Sequence, residues 1–131
     1  MRKVYELTGS LSNIVVETDL LFPNVQTCVA VVAVASGQLV GAHVTLADRG
    51  RLLKVAQKLD QLSQGTPTVY VIGPVRGYNL GPLTDIGRVY FHECPGFIDV
   101  SAAIVGGAVK FGKRATGSTG AFEDIPLTSF Y

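Results

Sequence analysis

The sequence predicts an α+β fold: a mixed or antiparallel β-sheet or sandwich with one main helix, about residues 48–64, packed on it. Three observations carry this. Two neighbouring apolar runs rich in β-branched residues, Val29–Ala35 and Leu39–Leu46, flank a Ser36–Gly37 turn signal and read as a buried hairpin. One stretch repeats apolar residues at helical spacing (Leu52, Val55, Ala56, Leu59, Leu62) between a good N-cap, Asp48, and the stop signals Gly65 and Pro67. The rest breaks into short β-prone runs punctuated by glycine, proline and asparagine, roughly seven to nine strands in all.

Composition sets the outer limits. A chain of 131 residues, 47% hydrophobic and 16% charged, suits one domain spanning 1–131 with a substantial core. Eleven basic against ten acidic residues give a formal net charge of +1, so no phosphate-tracking surface is expected and nucleic acid is a poor partner. Glu6 and Thr8 interrupt any apolar signal core near the start, and no segment reaches membrane-spanning length without glycine or charge. The expectation is a protein without membrane insertion or a cleavable signal. Two cysteines do not make a disulfide scaffold, so free thiols are expected.

In chain order, Lys3–Thr8 and Asn13–Thr18 read as a first hairpin joined by Gly9–Ser10, and Asp19–Gln26 as a loop around Pro23–Asn24. The hairpin and helix described above follow, then a buried strand at Thr68–Ile72. Gly73–Pro82 is the most glycine- and proline-rich loop. It lacks the Gly-Lys-Ser/Thr ending of a phosphate loop and the strand–glycine–helix context of a dinucleotide site. Gly87–Cys94 and Phe97–Val100 read as another hairpin, turning at Pro95–Gly96. Ala102–Phe111 adds a strand in which Gly106–Gly107 marks a bulge or close approach. Lys110, Lys113 and Arg114 read as a solvated strand end. From about residue 115 the pattern thins into a loosely packed tail anchored by Phe122, Ile125 and Phe130.

The chemistry concentrates on Cys28 and His43. If Ser36 and Gly37 are the two central turn residues, Ala35 faces Gln38, Ala30 faces His43 and Cys28 faces Thr45. Cys28 and His43 then share a sheet face as diagonal neighbours about 7 Å apart. A three-residue loop would send them to opposite faces, and a bulge at Gly41 would also change the count. Cys28 sits at the mouth of its strand, where uncommitted backbone N–H groups can face a developing oxyanion.

The run Cys28–Val31, then Gly41–Leu46, with fourteen residues between Cys28 and His43, resembles the Cys–His core of the protein glutamine deamidases. These include the chemotaxis deamidase CheD and the catalytic domain of the cytotoxic necrotizing factor toxins. The resemblance covers about Val15 to Val100 and includes the order of a helix, a strand ending at Gly73, Tyr78–Asn79, Asp85–Phe91 and Gly96–Val100. Ile72–Gly73–Pro74 stands where CheD carries a Gly-Gly-Ala element. The threonine CheD-like proteins carry shortly before the cysteine has Phe22 near its offset, leaving Thr18 and Thr27 as possible orienting or oxyanion residues.

The resemblance implies a thiolate attack on a glutamine carboxamide, with His43 as acid and base and no cofactor or metal. The substrate would be a protein bearing the target glutamine. The setting would be the bacterial cytoplasm, in a chemotaxis role, or a target cell into which a toxin or effector is delivered. Transamidation would follow if an amine replaced water. Asn24, Arg76 and Tyr78 are possible substrate-loop residues, with ordinary turn roles as the alternative. A third group must orient the imidazole, either a side chain such as Thr18 or a backbone carbonyl. Two further readings stand beside this one. One is a non-catalytic protein-binding module on the same fold. The other is a zinc protein using both cysteines and both histidines, although the spacing of His92 and Cys94 matches no compact zinc motif.

Overall fold

A computed structural model describes residues 1–7, 11–45, 49–76 and 79–131. Its strands are β1 (Arg2–Lys3), β2 (Val15–Glu17), β3 (Asp19–Val25), β4 (Cys28–Ala35), β5 (Gln38–Thr45), β6 (Thr68–Gly73), β7 (Arg88–Glu93), β8 (Ile98–Val105), β9 (Ala108–Ala115) and β10 (Glu123–Ile125). Helix α1 spans Arg49–Leu62, a short α2 spans Gly81–Thr84, and a 3-10 turn covers Leu127–Ser129. The strands form two five-stranded sheets, β2-β5-β4-β6-β7 and β1-β3-β8-β9-β10. The fold is therefore α+β with one main helix, as the pattern predicts.

The first sheet is the middle of three layers. On one face Val29, Val31, Ala33, Val40, Ala42 and Val44 meet Leu52, Val55, Ala56 and Leu59 of α1. On the other, Ala30, Val32, Leu39 and Ile72 meet Leu20, Phe22, Val100 and Phe111 of the second sheet. Burial on both faces explains why β4 reads as an unbroken apolar run: a strand with no wet side has no polar positions to alternate with. Gly41 sets how closely the sheets approach, since a Cβ there would lie 2.7 Å from Leu20 Cδ1 and 3.0 Å from Phe22 Cζ.

The β4–β5 hairpin has the register counted from its turn, with Ala35 opposite Gln38, Ala30 opposite His43 and Cys28 opposite Thr45. Ser36 and Gly37 both take positive φ, 53° and 73°, which suits a two-residue hairpin turn of the primed type. No bulge interrupts the pairing at Gly41.

Several connections differ from the sequence reading. Asp19–Val25 is a strand: Leu20 and Phe22 point inward on alternating positions, Pro23–Asn24 makes a bulge in its pairing with β8, and Val25 points inward again after it. The expected first hairpin is absent among the described residues, because β1 runs parallel to β3 while β2 pairs with β5. Its Gly9–Ser10 turn lies outside the described residues, as does the Asp48 cap. Pro95–Gly96 does not turn a hairpin but carries the chain from β7 in one sheet to β8 in the other. Gly96 passes so close to the Gln26 carbonyl that any Cβ there would collide. Gly106 and Gly107, at φ of 59° and 83°, are the two-residue turn between β8 and β9, not a bulge within one strand.

The C-terminal segment is packed, contrary to the expectation of a loose tail. β10 pairs with β9, and Ile125 is 2% exposed. Phe130 packs on Tyr70, Phe111 and His92, and Tyr131 exchanges both backbone hydrogen bonds with Phe91 at 2.8 and 2.9 Å. Ile125 and Phe130 are anchors, as the sequence suggests, but they sit sparsely among Thr, Gly and Ser, so hydrophobic periodicity does not reveal how firmly the segment is packed. Arg114 is likewise more than a solvated strand end: it pairs with Asp99 at 3.4 Å and lies over the Phe122 ring at 4.3 Å.

Candidate functional site

Cys28 and His43 meet between the two sheets, at the end of the central sheet remote from the Ser36–Gly37 turn. The hairpin register puts both side chains on the face toward the second sheet, and the diagonal offset lets the imidazole reach the sulfur. Sγ lies 2.8 Å from Nε2 of His43, and Nδ1 lies 3.1 Å from the carbonyl oxygen of Val4. A carbonyl only accepts, so Nδ1 carries the proton and Nε2 presents its lone pair to the thiol. Phe22 stands edge-on to the ring, with centroids 6.1 Å apart.

The orienting group is thus the backbone carbonyl of Val4, brought by a segment that crosses between the sheets. Val4 N–H donates to Leu21 O in the second sheet, and three residues later Leu7 N–H donates to His43 O in the central sheet. Glu6, bridged to His43 on the edge of β5, places its carboxylate 3.5 Å from Cys28 Sγ. Sequence reasoning missed both residues. Val4 contributes only its backbone, and Glu6 lies twenty-two positions from Cys28, in a segment that looks like an ordinary strand.

Electrostatics leave the pair neutral. Burial, the largest cause, together with the Glu6 carboxylate pushes the Cys28 thiol from an ordinary 9.0 up to about 11. Backbone N–H groups of Gln26 and Cys28 pull the other way. Burial lowers the His43 pKa, opposed by its bond to Val4 and by Glu6. The sequence reading requires an ionised thiol, whereas burial and the Glu6 carboxylate favour a protonated thiol beside a neutral imidazole. Cys28 and His43 are each 1% exposed, so neither the sulfur nor the imidazole meets bulk solvent.

The other expected site residues scatter. Thr18 lies at the opposite end of the sheet: its neighbour Glu17 pairs with Leu39, four residues before His43, which leaves roughly 13 Å of strand between them. It cannot orient the imidazole. Thr27 precedes Cys28 at the strand mouth with an exposed side chain. Asn24, at φ 55°, sits in the β3 bulge with its N–H on Asp99 Oδ1 at 2.9 Å, which is a structural role. Arg76 is exposed and lines a groove of about 230 Å³ with Leu80, Gly81, Thr84 and Phe91, on the helix side of the sheet and not on the face of Cys28. Tyr78 lies outside the described residues.

The zinc set of two cysteines and two histidines is not assembled. Across the central sheet His43 aligns with Ala30, then Ile72, then His92, three interstrand spacings or about 14 Å away. Both cysteines are free. Among the described residues the donor atoms that do converge are those of Glu6, Cys28 and His43, all within 4.8 Å of one another.

The chain matches no protein-family model, and no curated protein or solved structure matches it significantly. No helix among the described residues is long and apolar enough to cross a membrane.

Proposed function

We propose that this protein is a cysteine-dependent amidohydrolase that deamidates a glutamine on a protein substrate, with Cys28 as nucleophile and His43 as acid and base. The observation that carries the reading is the 2.8 Å contact between Sγ and an Nε2 whose lone pair is kept free by the Val4 carbonyl. The substrate class rests on the resemblance of Cys28–Val31 and Gly41–Leu46 to the glutamine deamidases.

As Sγ bonds to the carboxamide carbon, the thiol proton passes to Nε2, and the developing oxyanion takes the N–H groups of Gln26 and Cys28 that face the sulfur. The imidazolium then protonates the departing ammonia and leaves a thioester. Water attacks this, His43 takes its proton and returns it to the leaving sulfur, and glutamate is released. The substrate is an exposed glutamine side chain in a bacterial cytoplasm or in a cell receiving the protein as an effector.

Intact-mass spectrometry on a candidate partner tests this. Wild type should add about one dalton per modified glutamine and release ammonia, and Cys28→Ser should add nothing. A mass gain that persists in Cys28→Ser removes Cys28 from the chemistry. A second reading, a binding module without catalysis, is favoured by the near-complete burial of the pair. Tight partner binding without any mass change would establish it instead.

A further inference from the structure

We infer that Glu6, Cys28 and His43 form a three-ligand site for a divalent cation of zinc type, whose occupancy closes the nucleophile. Glu6 Oε1 and Cys28 Sγ are 3.5 Å apart, Cys28 Sγ and His43 Nε2 are 2.8 Å apart, and all three donors lie within 4.8 Å of one another. Ligands on a tetrahedral zinc, at about 2.3 Å for sulfur and about 2.0–2.2 Å for nitrogen and oxygen, stand about 3.3–3.6 Å apart. The Glu6–Cys28 edge already has that length, and the Cys28–His43 edge needs to open by less than an ångström.

The surroundings of the histidine point the same way. A zinc-binding imidazole almost always donates its other N–H to a carbonyl or carboxylate, which fixes the ring and the tautomer. The bond from His43 Nδ1 to Val4 O does this and leaves Nε2 as the donor. Thiolate, imidazole and carboxylate together suit zinc, and not magnesium or calcium, which prefer all-oxygen sets. Glu6 is exposed while its two partners are buried, so the fourth position opens toward solvent on the Glu6 side.

Binding balances simply. The Cys28 S–H bond breaks, a metal–sulfur bond forms and one proton leaves to solvent, while Glu6 enters as carboxylate and His43 as neutral imidazole. The sulfur lone pair needed for acyl transfer is then held by the metal, so zinc excludes substrate chemistry. The Glu6 strap that covers the thiol becomes the clasp that keeps the ion.

Titrating the reduced, metal-free full chain with Zn²⁺ and with Co²⁺ tests this. One equivalent of each should bind, with one proton released per ion. The Co²⁺ form should show a thiolate charge-transfer band and the intense visible bands of tetrahedral coordination. Zn²⁺ should also block alkylation of Cys28 but not of Cys94. Glu6→Gln alters an exposed side chain and keeps the fold, and it should weaken Zn²⁺ binding at least about tenfold, since even supporting groups around a ligand carry that much. Cys28→Ser should lose the charge-transfer band, and Cys94→Ser should keep it.

Absence of stoichiometric binding, a Co²⁺ spectrum without the thiolate band, or a band that survives in Cys28→Ser overturns the site. So does a band lost in Cys94→Ser. The inference stands apart from deamidation: a protein that binds zinc but modifies no glutamine keeps the metal site, and one that deamidates at saturating Zn²⁺ loses it.

Discussion

The molecule contains two cysteine–histidine pairs on the same face of the same sheet, and they differ in how thiol and imidazole are set against each other. Cys28 and His43 sit on adjacent antiparallel strands, in contact at 2.8 Å. His92 and Cys94 follow one another at i and i+2 on and just beyond edge strand β7, where the pleat holds such neighbours about 7 Å apart. Both imidazoles carry their proton on Nδ1: His43 donates to Val4 O, and His92 to Ser129 Oγ at 3.0 Å, the serine hydroxyl being spent on Pro126 O. The difference lies at Nε2. That of His43 meets a thiol, and that of His92 is buried without a partner among the described residues. A thiol–imidazole contact thus needs a cross-strand diagonal as well as the right residues.

The largest test of this contrast is turnover. In a deamidation assay His43→Ala should lower the rate at least about a thousandfold, since the proposed attack and release both use its lone pair, while His92→Ala should stay within about threefold of wild type. Circular dichroism on each variant separates lost chemistry from lost fold. Equal losses in the two would dissolve the distinction.

Stability should divide the pairs less sharply. His43 is 1% exposed, so truncating it leaves a cavity beside Phe22 and strands the Val4 carbonyl and the Cys28 thiol, a loss of about 2–4 kcal/mol in urea unfolding. His92 is only partly buried and should cost about 1 kcal/mol. A larger cost for His92→Ala would show that the C-terminal Ser129–Phe130 clasp, and not the interior pair, holds the sheets together.

How far the sequence disclosed this depends on the distance over which each feature is encoded. The hairpin register follows from two turn residues and a count of eight on each side, so the shared face of Cys28 and His43 is legible. The helix is legible because its period is local. What completes the site is not: Val4 acts through a carbonyl that every residue possesses, and Glu6 arrives from a parallel bridge that no short-range pattern specifies. Thr18 failed for the complementary reason, since an offset counted along the chain says nothing about which end of a strand a residue reaches.

The pH dependence follows from the same burial. Cys28 holds its proton to about 11 when folded, against 9.0 when free. Its contribution is therefore complete below about pH 9 and lost as pH rises from about 9 to 11, up to about 2–3 kcal/mol. Cys94 is shifted in the same direction, by burial first, and adds to the loss. On the acid side the folded pKa of both histidines lies below 6.5, so their contribution is present above that value and lost as pH falls below it. Thermal melts from pH 5 to 11 should show both declines. Cys28→Ser should flatten the alkaline arm, and an unchanged arm would mean that the thiol ionises freely in the folded protein.

The smallest expected effect isolates Glu6. Its carboxylate is, after burial and alongside the opposing Gln26 N–H, a cause of the raised Cys28 pKa, through both its charge and its contact at 3.5 Å. Replacing it by glutamine removes the charge and keeps the shape, so the thiolate fraction at pH 8 rises. Native-state labelling with iodoacetamide should then speed up at Cys28 by about two- to fivefold, because reactivity follows thiolate population. Cys94, whose shift involves Glu93 and Lys113 and not Glu6, serves as an internal reference and should label at its wild-type rate. Acceleration at both cysteines would mean that Glu6→Gln merely loosens the fold. No acceleration at either would show that burial alone governs the thiol and that the carboxylate above it is electrostatically silent.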